Sequence, residues 1–125
     1  MIIDTDVLIW FFRGNGKALK QLQASGHFSI SCITQMELMQ GARSKSDQKK
    51  ISRQLDVWGA DVFQIDERIS ALASGLVKEY SLSHGIAIAD ALIAATALER
   101  NETLFTANAK HFDFIPHLNI KRFTP

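Results

Sequence analysis

Two hydrophobic periods alternate along this chain, one suited to strands and one to helices. Met1 to Asp4 begins as a short apolar strand, and Val7 to Phe12 follows as a brief helix closed by the breaker cluster Arg13-Gly14-Asn15-Gly16. Lys17 to Ala24 gathers Ala18, Leu19 and Leu22 on one helical face and stops at Ser25-Gly26. His27 to Cys32 (HFSISC) alternates apolar and polar residues as a half-buried strand does. Two helices are expected next, Thr34 to Ala42 and Ser46 to Trp58, the second with Ile51, Leu55 and Trp58 on its buried stripe. Val62 to Ile65 reads as a short strand.

The second half repeats the alternation with longer helices. Glu67 to Leu82 brings Ile69, Leu72, Ala73, Leu76 and Val77 to one face, and Ile88 to Arg100 is so uniformly apolar that it is predicted to lie deep in the fold. Thr103 to Thr106 and Asn119 to Phe123 are the last strands. Short apolar strands separated by helices imply an α/β fold, a central parallel sheet flanked by helices in three layers. Neither a linker nor a repeat interrupts residues 1–125, so a single domain is expected.

Composition adds exclusions. Apolar residues make up 46% and charged residues 22%, as in an ordinary folded protein. Cys32 is the only cysteine, which excludes an intramolecular disulfide and a thiolate zinc cluster and points to a reducing, cytoplasmic home. No apolar run reaches the length of a membrane span, since Asp90 breaks GIAIADALIAATAL. The net charge is only +1, but its distribution is uneven: between Arg13 and Arg53 eight lysines and arginines face two acids, Glu37 and Asp47. That bias suits a phosphate-bearing partner, and a pair of solvated helices would carry it as well.

The acidic residues hold the chemistry. Asp4 and Asp6 sit in MIIDTDVLIW with apolar residues on both sides, where an unpaired buried charge is costly. In an open parallel sheet the working site lies beyond the carboxyl ends of the strands. Asp4 ends the first strand, Glu37 follows the second, Asp90 opens the apolar helix, and Asn108 and His111 follow Leu104-Phe105-Thr106. Each has a plain structural reading: Asp6 as the cap of the helix at Val7, Thr34-Gln35-Met36-Glu37 as a capping box, and Asp90 as a favourable charge near a helix start. Against the last reading, Asp90 is the only charged residue from Gly85 to Leu98 and has no cationic neighbour in sequence. A divalent cation with a preference for oxygen would relieve the repulsion among such carboxylates. His27, His84 and His117 have no partner at metal-ligand spacing.

IIDTDVLI, ITQMELMQGA, GIAIADALIAATAL and LFTANAKHF, in this order, resemble the PIN-domain nucleases, and among them the VapC toxins of bacterial toxin–antitoxin pairs. The resemblance spans nearly the whole chain. It implies Asp4, Glu37 and Asp90 as an acidic catalytic site for Mg²⁺ or Mn²⁺, with Thr5, Asp6, Thr106 and Asn108 at its edge. Family members commonly carry a small polar residue at the place of Asp6, read here as a helix cap near a metal-bound water. His111 stands where many members have a fourth acid, and Asp113, two residues on, would replace it only through a shifted turn. The implied activity is metal-dependent endoribonuclease cleavage of single-stranded or looped RNA, tRNA included, leaving a 5′-phosphate. Arg13, Arg43 and Lys45 are the candidate RNA contacts. A homodimer and a VapB-like antitoxin that blocks the acidic site are the implied partners, and no membrane is implied.

Two other functions compete. A strand followed by Asp4-Thr5-Asp6 also resembles the start of haloacid-dehalogenase-like phosphatases, with Asp4 as nucleophile, a mechanism that needs a nearby lysine. A non-catalytic RNA- or protein-binding module on the same fold is the other.

Overall fold

The computed structural model describes residues 1–125 and contains every strand and helix expected above. The strands are β1 (Ile2–Ile3), β2 (Ser29–Ser31), β3 (Asp61–Phe63), β4 (Leu104–Thr106) and β5 (Ile120–Arg122). The helices are α1 (Thr5–Phe12), α2 (Gly16–Ser25), α3 (Cys32–Gly41), α4 (Lys45–Trp58), α5 (Glu67–His84) and α6 (Ile88–Arg100), and a 3-10 turn spans Ala109–His111. All strand pairs are parallel, in the order β3-β2-β1-β4-β5. The first strand is therefore central, and β2 and β4 lie on either side of it. The order reverses at β1, which opens the crevice where such sheets place their sites.

Both faces of the sheet are covered. On one, Ile2 and Leu104 pack with Ile69 and Ala73 of α5, with Ala91, Ala94 and Ala95 of α6, and with Phe112. On the other, Ile3, Ile30 and Phe105 pack with Val7, Leu8, Leu22, Leu38, Ile51 and Leu55. Alternation along the strands explains the division: Ile2 and Ile3 are adjacent, point to opposite faces and are both fully buried. Small residues let α6 lie close to the sheet and α5. Its first turn is less deeply placed than its apolar sequence predicts, since Ile88 remains 70% exposed.

Side-chain caps set several boundaries away from their expected places. Asp4, not Asp6, caps α1, which therefore starts at Thr5. Ser31 Oγ accepts from Ile33 N at 3.1 Å and starts α3 at Cys32, so Cys32 leaves the strand for the helix. The Thr34–Glu37 capping box does not form, because both residues already lie inside that helix. Gly59 and Gly85 end α4 and α5 in the left-handed conformation at φ 62° and 60°, which glycine adopts without steric cost. No helix is long and apolar enough to cross a membrane.

Candidate active site

The loops beyond the carboxyl ends of β1 and β4 meet the starts of α1 and α6 and the second turn of α3. Asp4, 6% exposed, uses both carboxylate oxygens. Oδ1 accepts the Thr5 N–H at 2.8 Å, and Oδ2 accepts the Thr106 hydroxyl at 2.8 Å. Its own N–H donates to the Phe105 carbonyl at 2.8 Å, which ties the end of β1 to β4. One residue thus ends a strand, starts a helix and presents a buried carboxylate.

Asp6 lies in the first turn of α1 and reaches across to the loop after β4. It accepts the Ala107 N–H at 3.2 Å and the Asn108 side-chain amide at 2.8 Å, with the Thr106 hydroxyl 3.2 Å away. Thr106 Oγ1 in turn accepts the Asn108 N–H at 3.0 Å. The Thr106 hydroxyl has one proton, so its short bond to Asp4 leaves at most a shared, weaker contact with Asp6. Glu37 is held separately: Thr5 Oγ1 donates to Glu37 Oε1 at 2.7 Å and lies 3.0 Å from Thr34 Oγ1. Thr5, expected only at the edge of the site, is the residue that orients Glu37. Periodicity could not reveal this, because the contact spans 32 residues of chain.

Asp90 sits in the first turn of α6, and its partner comes from outside its own segment: His111 Nδ1 lies 3.2 Å from Asp90 Oδ2. The loop after β4 therefore places an imidazole, not an acid, beside Asp90. Asp113 does not take the vacant acidic role; its exposed side chain makes no hydrogen bond or ion pair with the cluster. No lysine contacts Asp4 or Asp6, which removes the cation that the phosphatase reading requires.

The four acids feel one another. Burial first, and then the nearby Asp6 and Asp90 charges, push the Asp4 carboxyl up to about 7 against the lowering bonds from Thr106 and Thr5. Burial also raises Asp6, opposed by its bonds from Ala107, Thr106 and Asn108. Asp90 is raised by burial and by the charges of Glu37 and Asp6, while His111 pulls the other way. Such crowding is what an oxygen-preferring cation would relieve, and the donors are all carboxylates and hydroxyls, which suit Mg²⁺ or Mn²⁺. No three carboxylate, imidazole or thiol groups close tightly enough to enclose an ion unaided. A cation that keeps several of its waters fits this donor set.

The basic candidates separate. Arg13 and Arg43 line one groove of about 610 Å³ together with Glu37, Lys50 and the apolar Ile9, Phe12, Leu38 and Ile51. Lys45 lies instead in a separate depression with Lys49, Arg53 and Asp56, whose lining includes none of Asp4, Asp6, Glu37 and Asp90.

Comparison with known proteins identifies the fold and family. The PIN domain profile matches residues 1–117. The ribonuclease VapC10 of Mycobacterium tuberculosis is 32% identical over 94% of this chain and 90% of its own length. The ribonuclease VapC1 of Methanocaldococcus jannaschii is 28% identical over 97% and 85%. Among solved structures, a toxin–antitoxin complex from Klebsiella pneumoniae superimposes with a TM-score of 0.79 at 30% identity, covering 94% of this chain and 93% of that one. VapBC2 from Rickettsia felis, bound to a promoter DNA fragment, shares the fold at a TM-score of 0.82 and 21% identity over 98% of each chain. With a five-stranded parallel sheet, an acidic cluster beyond its carboxyl edge and a family match over nearly its whole length, this chain belongs to the PIN domain family, in its VapC branch.

Proposed function

We propose that the protein is a metal-dependent endoribonuclease and the toxin of a toxin–antitoxin pair. The observation that carries this reading is the convergence of Asp4, Asp6, Glu37 and Asp90, from three distant segments, at the edge of the sheet where β1 reverses the strand order. Asp4, Glu37 and Asp90 are the residues that would hold Mg²⁺ or Mn²⁺. When bound, the ion supplies Lewis-acid polarisation of a phosphodiester and a more acidic water.

The chain's own groups do the rest. Thr106 and Thr5 N–H fix the Asp4 carboxylate, and the Thr5 hydroxyl fixes Glu37. The Asp6 carboxylate, held by Ala107 and Asn108, stands beside the centre as a proton acceptor for the attacking water. No covalent nucleophile is required. Arg13 and Arg43, on the groove that contains Glu37, bind phosphates flanking the scissile one. A single strand or loop, tRNA loops included, fits an open groove better than a duplex does, because its bases can be splayed outward.

A VapB-like antitoxin is the proposed partner, since the similar structures are toxin–antitoxin complexes. Its occupied surface would include the apolar Ile9, Phe12 and Leu38 beside Glu37. A cytoplasmic homodimer belongs to the same reading. The contact of His111 with Asp90, in place of a fourth acid, favours a second reading, a binding module without catalysis.

Incubation of the purified, antitoxin-free protein with total bacterial RNA distinguishes them. Discrete fragments with Mg²⁺ or Mn²⁺, absent with EDTA and reduced at least about a hundredfold in Asp4→Asn and Asp90→Asn, are expected of the nuclease. Intact RNA from folded protein under every condition assigns the binding module.

A further inference from the structure

A second groove shares no lining residue with the one that holds Arg13 and Arg43, and of its basic residues only Lys17 and Lys20 fall in the basic third of the chain. It runs between α2, β5 and the 3-10 turn after β4. One end, about 350 Å³, is lined by Asn108, Lys110, His111 and Arg122; the other, about 320 Å³, by Lys17, Lys20 and the same Arg122. The two adjoin at Arg122, Phe123 and Thr124, which line both, and Phe123 is buried.

Not one acidic side chain lines either end. The whole chain balances 14 lysines and arginines against 13 acids, so a surface of one sign is a local departure. The groove with Arg13 and Arg43 contains Glu37 and Asp47, and the depression with Lys45 contains Asp56. Lys20, Lys110 and Arg122 are exposed and form no ion pair, while Lys17 donates to the main-chain oxygen of Pro125, the last residue, at 3.4 Å. Three different elements, α2, the 3-10 turn and β5, supply these charges, so they are not the solvated face of one helix.

The groove also opens on the acidic centre. Asn108 lines it and donates to Asp6, and His111 lines it and contacts Asp90. An unpaired cationic channel that ends at a phosphodiester-cleaving centre matches the requirement for holding a polyanion across that centre.

We propose that Lys20, Lys110 and Arg122 bind the phosphate backbone of the substrate RNA along this groove, as a second arm distinct from Arg13 and Arg43. The proposal rests on the ribonuclease reading above. In it, the strand passes from one basic groove to the other across the acidic residues, and Arg122, common to both ends of the groove, is its central contact.

The test is equilibrium binding of a fluorescent single-stranded oligoribonucleotide of about 12 nucleotides, in EDTA so that cleavage does not intervene. Lys20→Ala/Arg122→Ala is compared with the wild type and with Lys78→Ala, a charge loss on the remote, exposed face of α5. The double variant is expected to bind about tenfold more weakly near 0.1 M salt, with the salt slope of log K reduced by about 1.4. In divalent metal its KM for a longer RNA rises while kcat is kept. Equal binding by double variant and wild type, or an equal loss in Lys78→Ala, overturns the proposal. If Asp4-dependent cleavage persists in that case, the ribonuclease reading stands without this groove. Wild-type protein that binds no RNA overturns the proposal, and only if it also leaves RNA intact with Mg²⁺ or Mn²⁺ does the ribonuclease reading fall with it.

Discussion

Asp4 carries opposed demands. It caps α1, accepts a hydroxyl from β4 and is almost wholly buried among other acids, so its carboxyl is raised to about 7. The sign for stability follows. Between pH 4 and 7 the native state holds a proton that the unfolded chain has already released, so metal-free stability falls as pH rises. The loss is about 1.4 kcal/mol per pH unit while that proton is held. Thermal melts in EDTA should show Tm dropping from pH 5 to pH 7.5, and Asp4→Asn, neutral throughout, should flatten the decline while abolishing cleavage. Thr5 gives a second prediction at this scale. Thr5→Val removes the hydroxyl that holds Glu37, and cleavage should fall about tenfold, with more Mn²⁺ needed for half-maximal rate. Thr5→Ser keeps the bond and should restore both.

At the scale of elements, hydrophobic period located every strand and helix, and a side-chain cap starts each helix from α1 to α5, whereas α6 begins after Ala87 without one. Thr34 and Glu37 have the spacing of a capping box, yet Ser31 captures the helix start first and leaves Glu37 free to meet Thr5. The rival caps stand three residues apart, and which one wins depends on where β2 leaves the sheet. Asp66, which caps α5 by accepting the Ile69 N–H at 2.9 Å, offers a clean measurement of such a cap. Asp66→Ala should cost about 1 kcal/mol in urea unfolding, with RNA cleavage per folded molecule unchanged. The 3-10 turn Ala109–His111 carried no periodic signal, because one short turn is too brief for one.

At the scale of the whole molecule, the acidic centre exists only when β1, α3, α6 and the loop after β4 are assembled. A ligand held there binds the native state and not the unfolded chain, so binding becomes folding stability. Mn²⁺ at a hundred times its Kd should add about 2.7 kcal/mol, seen as a rise in Tm that Asp4→Asn/Asp90→Asn lacks. The basic residues show the same dependence on assembly. Arg13, Arg43 and Lys45 are alike in sequence, but only the first two share a groove with Glu37. Arg122, outside the basic third of the chain, joins Lys17, Lys20 and Lys110 only through the position of β5 beside β4.

The sequence by itself determined the elements, the α/β class and the acids that crowd together. These follow from local period, and from the cost of carboxylates among apolar neighbours, both properties of short stretches. It also carried the resemblance that named the family. Tertiary structure alone decided the partners: Thr106 for Asp4, Asn108 for Asp6, Thr5 for Glu37 and His111 for Asp90. Apart from Thr5, which stands next to both aspartates, these side chains come from segments whose proximity is created by parallel pairing of β1 with β2 and β4. Hydrogen bonds act over about 3 Å, and one sequence records no distance between residues 102 positions apart.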